Sequence, residues 1–221
     1  MKKKLNALKP GARFIYGGVN WALLELKGNE AVAITADCVC QRAFDRDNAN
    51  DWRRSSLRKE LNGEFLTMLI SEGADPAAFM EFESDLTADD GMTDYGTAWD
   101  KIALISCDLY REYRALIPKI GCWWWTLTPW TCDPEYSFSV RSVASSGAMS
   151  RDSAYYGYWG VRPLCHLQSD ILVSVPDEDA ETEQSTSVEQ AINDMMKILD
   201  ERPLELWCEI MGALVAYACR E

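Results

Sequence analysis

The chain has 221 residues, 48% hydrophobic and 26% charged, with 13 Gly and 8 Pro. This composition is globular, long enough for one well-buried core plus an appendage, and it excludes a collagen-like or wholly disordered chain. The net charge of −13 is unevenly placed, since residues 1–175 carry 23 acids and 19 bases whereas residues 176–221 carry 12 acids and 3 bases. That sign disfavours direct contact with a nucleic-acid backbone or an anionic membrane, and no segment approaches the roughly 20 apolar residues of a spanning helix.

The start, MKKKLNALKP, is basic but lacks the following apolar run of about 7–15 residues that a secretory signal requires. A soluble, cytoplasmic chain is expected. The eight Cys are then expected as free thiols rather than a disulfide framework. Cys38 and Cys40 are separated by one residue, a spacing that suits neither a zinc knuckle nor a thioredoxin-type motif.

In chain order, residues 13–26 read as two strands around the Gly17-Gly18 break, and the turn at residues 27–30 leads to a third strand at 31–35, a β-meander. Ser55 or Ser56 can cap a helix whose Leu57, Leu61, Phe65, Met68 and Leu69 recur at three- and four-residue steps. The acidic stretch 72–98 predicts a loop with one short strand at 79–82. A short buried strand follows at 102–105, then a second helix over 107–116 stopped by Pro118. Residues 123–128 (WWWTLT), 137–143 and 159–167 are predicted strands, with a Ser/Tyr/Gly-rich loop at 150–157 before the last. Residues 176–187 read as an acidic linker, and residues 188–221 as an αα-hairpin with apolar stripes carrying Ile192, Met195 and Leu199, then Trp207, Met211 and Leu214.

Three stretches carry a resemblance: FDRDNANDWRRSSLRKELN at 44–62, DKIALISCDLYREY at 100–113, and the pair WWWTLTP at 123–129 with GVRPL at 160–164. Together they resemble an uncharacterised bacterial and phage domain family related to the C-type-lectin-like and formylglycine-generating-enzyme fold. Its members show a W-x-x-S-S-L-R-x-x-L-N helix, a D-K-[IV]-x-L-L-S strand, a W-W-L-R-S-P-G strand and a closing G-V-R-P-A. The resemblance implies an α+β, C-type-lectin-like domain over residues 1–175, with short antiparallel sheets and two helices, and a virion-associated location if the chain is phage encoded. Thr126 and Thr128 stand near the family's Arg and Ser positions, so a polar contact made by that Arg is lost or replaced. Trp52, Leu57, Arg58, Leu61, Trp123 and Arg162 are assigned structural roles. Arg162, inside an apolar strand, is costly unless paired, and Asp45 or Asp100 is the expected partner, with contact to a ligand as the alternative.

The residue census argues against most chemistries. His166 is the single His, so any Ser-His-Asp or Cys-His system would have to use it, and a satisfied structural histidine is the simpler reading. Two further chemistries occur in the wider lectin-like fold. No C-x4-C pair offers copper soft ligands near the end of the domain, and one His cannot supply a non-haem iron site. Asp133-Pro134-Glu135 is the nearest approach to a calcium-lectin loop, and Asp89-Asp90-Gly91 with Asp94 reads as a solvated acidic loop. Neither a metal nor another cofactor is expected.

Aromatic surface remains. Trp125, Trp130, Tyr136, Arg151, Asp152, Tyr155, Tyr156, Tyr158 and Trp159 combine rigid amphipathic rings with adaptable polar neighbours, the composition of a recognition surface. Strand alternation requires at least one of the three consecutive Trp to face outward. The expected function is therefore a non-catalytic module binding a protein or glycan. The second reading is an acidic inhibitor or adaptor working on a basic partner through its C-terminal helices, which could also drive homo-oligomerisation. An enzyme is the third. Deleting residues 176–221 separates the first two, because only the loop-face reading predicts retained binding.

Overall fold

The structure, a computed structural model, describes residues 1–176. Its first strand, β1 (Lys2–Lys4), is an exposed lysine edge paired antiparallel with the last strand of the unit, Leu172–Ser174. Then β2 (Arg13–Tyr16), β3 (Val19–Lys27) and β4 (Glu30–Thr35) form the predicted antiparallel meander. Gly17 turns the chain at φ +58°, and a Cβ there would come within 2.9 Å of the Leu69 carbonyl. The glycine thus serves both the hairpin and the close approach of a helix. A short strand, β5 (Cys40–Gln41), follows.

The helix starts where the cap predicts. The Ser55 hydroxyl accepts from the amides of Leu57 and Arg58 at 3.1 and 3.3 Å and donates to the Phe44 carbonyl at 2.5 Å. Helix α1 (Ser56–Glu60) runs through a π-helical turn, Leu61–Phe65, into α2 (Leu66–Ser71). The wider turn rotates the later residues, so Leu57, Leu61 and Leu69 are buried while Met68 is exposed. Ser55→Ala is expected to cost about 2 kcal/mol, losing the cap and the strut to Phe44 together, read as a lower denaturant midpoint at unchanged slope.

Strand β6 (Phe79–Met80) leads to a hairpin, β7 (Phe82–Asp85) and β8 (Thr97–Asp100), inside the stretch expected to be loop. Then come β9 (Ile102–Leu104) and α3 (Cys107–Tyr113), the latter shorter than expected. The rest is β10 (Trp124–Pro129), β11 (Ser139–Val143), β12 (Met149–Ser153), β13 (Gly160–Val161), β14 (Pro163–Gln168) and β15 (Leu172–Ser174). The main sheet runs β1-β15-β2-β3-β4-β14-β6 with β9 also on β14, and the second runs β12-β11-β10-β13-β5. The architecture of residues Met1–Val175 is mixed α+β. The hairpin expected at 188–221, with Ile192, Met195, Leu199, Trp207, Met211 and Leu214, lies outside the described residues, as does the linker beyond residue 176. No helix among the described residues is long and apolar enough to cross a membrane.

The segment 159–167, expected as one strand, is two: β13 belongs to the second sheet, β14 to the main sheet, and the chain crosses at Arg162. This side chain is 1% exposed. The expected carboxylate partner is a mistaken assignment, because its guanidinium donates to the carbonyls of Thr35 (3.1 and 2.8 Å), Ala36 (2.9 Å) and Pro118 (3.0 Å) and lies 4.9 Å above the Trp124 ring. Asp45 instead accepts from the amides of Asp47, Ala49 and Ser56. Asp100 accepts from the Trp52 indole (3.0 Å) and from Arg58 (2.8 Å), whose other nitrogens reach the carbonyls of Arg53 and Trp99. Backbone dipoles, not a counter-ion, solvate the buried cation.

Candidate functional site: an aromatic groove on the second sheet

Strand β10 is central, between β11 and β13, and all six of its residues are buried. Trp124 meets Tyr110 edge-on at 5.5 Å, while Trp125 contacts Phe44 and Trp159 and donates to the Arg42 carbonyl at 2.9 Å. Trp125, expected to contact a ligand, is 0% exposed and packs in the core, whereas Trp123, just ahead of the strand and expected to be structural, is 43% exposed. A strand covered on both faces buries consecutive residues, so alternation alone could not select the outward ring.

Trp123 packs edge-on against Trp159 at 5.0 Å, and from Trp159 a ladder of rings continues through Tyr158 (6.0 Å) and Tyr156 (5.1 Å) to Tyr155 (4.3 Å). Trp159 is buried at 5% exposure and serves as the base of the ladder, whereas Tyr155 and Tyr158 are 48% and 60% exposed. A second cluster, Trp130, Tyr136 and Phe138, has centroid separations of 5.5 and 6.4 Å. Arg151 places its guanidinium carbon 3.3 Å from the Trp130 centroid, a cation–π contact of about 0.5–1 kcal/mol at an exposed site. Arg151 also lines a groove of about 500 Å³ with Cys122, Trp123, Ser150, Asp152, Tyr158 and Trp159. Arg151, on β12, thus joins the Trp130 cluster to the groove. Asp152 turns one oxygen to the Ser153 amide at 2.8 Å.

Backbone bonds hold this loop in place. Ala154 is 0% exposed, donating to the Phe138 carbonyl (2.8 Å) and accepting from the Asp45 amide (3.0 Å). Asn48, in a left-handed conformation at φ +59°, accepts from the Tyr155 amide at 3.2 Å. The Arg42 amide donates to the Trp159 carbonyl at 3.0 Å. With its ends pinned, the loop presents its rings at low ordering cost. The Tyr156 phenol is pushed up to about 12 by the phenol of Tyr155 beside it, and Tyr158 is also raised, by burial first. Both phenols are neutral at physiological pH and can donate as well as accept.

The opposite rim hangs on Asn50. Its amide nitrogen donates to the carbonyls of Thr131 and Ser139, both at 2.9 Å, and its oxygen accepts from the Tyr95 hydroxyl at 2.8 Å. At 0% exposure, loss of these three bonds in Asn50→Ala is expected to cost about 2–4 kcal/mol, measurable by chemical denaturation. Thr126 and Thr128, near the positions where the resembled family carries Arg and Ser, make local bonds: the Thr126 hydroxyl donates to the Arg141 carbonyl at 2.8 Å, and the Thr128 hydroxyl accepts from the Cys107 amide at 2.9 Å. Both bonds fall where the β10–β11 register shifts.

His166 lies elsewhere, on β14, stacked on Phe82 at 4.0 Å with Nδ1 bonded to Glu30. Asp89 pairs with Arg111 (3.1 Å) and Arg141 (3.4 Å). Among the described residues no group of three His, Cys, Asp or Glu side chains is placed to hold a metal ion.

Sequence reasoning missed Trp123 as a groove residue and Phe138 as a ring of the second cluster. It also missed a pair of thiols, Cys38 and Cys122, whose sulfurs lie 3.0 Å apart across 84 positions of chain. No spacing rule covers such a pair.

Residues 102–169, from β9 through β14, match a Domain of unknown function (DUF6273). The residues expected from the sequence to contact a ligand all fall within that span. No curated protein and no solved structure matches the chain.

Proposed function

We propose that this chain is a non-catalytic binding module that recognises a protein or glycan ligand through the aromatic groove, within a domain of C-type-lectin-like type. The observation that carries the proposal is the wet ring surface: Trp123 and Tyr158, 43% and 60% exposed, line one groove with Arg151 and Asp152, and Tyr155, 48% exposed, continues the ladder of rings from Tyr158 through Tyr156. Aromatic side chains bury on the order of 150–250 Å² each when covered, and at about 25 cal/mol per Å² each such ring is a strong potential contact. Rings stack on the C–H faces of sugars or on apolar and cationic side chains, and Arg151 with Asp152 supplies donors and acceptors of both signs. The lectin-like reading draws support from the four motifs, which occur in the family's order over residues 44–164.

The test is a parallel screen of the full chain and of the variant Trp123→Ala/Tyr158→Ala on an oligosaccharide array and a displayed random-peptide library. The wild type is expected to select ligands that the variant does not retain. Equal retention by both chains, or no selection from either source, would overturn the reading.

A further inference from the structure

We propose that Cys38 and Cys122 form a reversible dithiol–disulfide site that a small-molecule disulfide can close. The site stands on its own geometry and does not depend on the binding reading. Three observations converge on it.

The first is proximity. The two sulfurs are 3.0 Å apart, against a bonded distance of about 2.0 Å, so closure asks for a shift of about 1 Å. Both residues lie outside the strands, Cys38 between β4 and β5 and Cys122 ahead of β10, where the backbone can make that adjustment. The second is a vacated space. Gly160 has no side chain, and a Cβ built on it would collide with the Cys38 sulfur and come within 3.3 Å of the Cys122 sulfur. Gly160 is not among the glycines with positive φ, so the position calls for glycine because of the room it leaves and not because of its backbone angles. The third is a clamp. Arg162 bonds the carbonyls of Thr35 and Ala36, just before Cys38, and of Pro118, four residues before Cys122. One buried side chain therefore holds together the two segments that bring the sulfurs to one place.

Cys122 also lines the aromatic groove and so is open to a small reagent. That access makes Cys122 the entry point, while burial, followed by the neighbouring Cys122 thiol, pushes the Cys38 thiol up. Its thiolate attacks one sulfur of the reagent RSSR, forming a Cys122–SR mixed disulfide and expelling RS⁻, which takes up the proton that Cys122 lost. The Cys38 thiolate then attacks the Cys122 sulfur, closing the protein disulfide and expelling the second RS⁻, which takes the proton from Cys38. Two protein thiols are oxidised and one small disulfide is reduced to two thiols. The new bond ties the Trp123 segment to the β4–β5 connection.

The experiment incubates the reduced full chain with oxidised glutathione, then measures intact mass, peptide map and thermal midpoint. The expected result is loss of two hydrogens, a crosslink between the peptides carrying Cys38 and Cys122, a Tm higher by about 10 °C, and reversal by dithiothreitol. In Cys38→Ser, which adds no bulk, glutathione is expected to remain on Cys122. In Gly160→Ala, bridging should slow by about tenfold or more because a methyl fills the gap; if that chain does not fold, Cys38→Ser alone decides. Persistent glutathione on Cys122 of the wild type, a crosslink to a different cysteine, or two unmodified thiols would each overturn the proposal.

Discussion

Arg162→Met is expected to lower folding stability by about 3–5 kcal/mol, because it strips the donors from a buried carbonyl cluster and leaves their desolvation uncompensated. For a domain of this size that is a fall in Tm of roughly 10–15 °C. Burial holds the Arg162 pKa down to about 10, which leaves the guanidinium charged at neutral pH, bound by dipoles from two separate chain segments and by the face of Trp124. Methionine fills similar volume without a donor, so the loss reports the hydrogen bonds and not a cavity. Arg162→Lys should recover less than half, since one ammonium cannot reach both the Thr35–Ala36 side and the Pro118 side with a planar fork. Thermal and chemical denaturation of the three chains measures this directly, and a loss below about 1 kcal/mol for Met would show the cluster to be solvated in another way.

Trp123→Ala and Tyr158→Ala are each expected to weaken a selected ligand by about 10- to 100-fold while leaving Tm nearly unchanged, since exposed central rings act as binding hot spots and contribute little to the core. Trp125→Ala should behave in the opposite way. At 0% exposure and packed among Phe44, Trp159 and the Arg42 carbonyl, its removal acts first on the fold, by about 3–5 kcal/mol. The contrast between neighbouring tryptophans separates recognition from packing within a three-residue stretch.

Much of the frame was legible in the sequence. The meander between Arg13 and Thr35 is marked by Gly17-Gly18 and Gly28, and the Ser55 cap and its leucine face announce the helix. Strands β7 and β8 were not legible, because the positions they bury include Ser84, Ala98 and Asp100, which give no hydrophobic alternation. Strand β1 was hidden for the same reason, being three exposed lysines whose partner, β15, lies at the far end of the unit. The break at Arg162 was missed because apolar residues continue on both sides of it, so the pattern persists while the chain changes sheet.

The groove was legible as composition and not as geometry. Clustered Tyr, Trp, Ser and Gly between residues 150 and 159 mark a recognition surface, but which indole faces out depends on what covers β10, and that cover comes from Phe44, Tyr110 and Trp159. The stacking of Arg151 on Trp130 joins β12 to the segment after β10. Only the folded register of β11 against β12 brings those residues side by side.

The most direct test of the aromatic groove is a calorimetric titration of one screened oligosaccharide or peptide into the wild type, Trp123→Ala/Tyr158→Ala and Trp99→Ala. Trp99 is as exposed as Tyr158, at 60%, but stands on the β7–β8 hairpin. Recognition through the groove predicts that the double variant loses about 100-fold or more in affinity while Trp99→Ala binds as the wild type does. Equal affinity in the double variant, or loss of binding in Trp99→Ala alone, would contradict it.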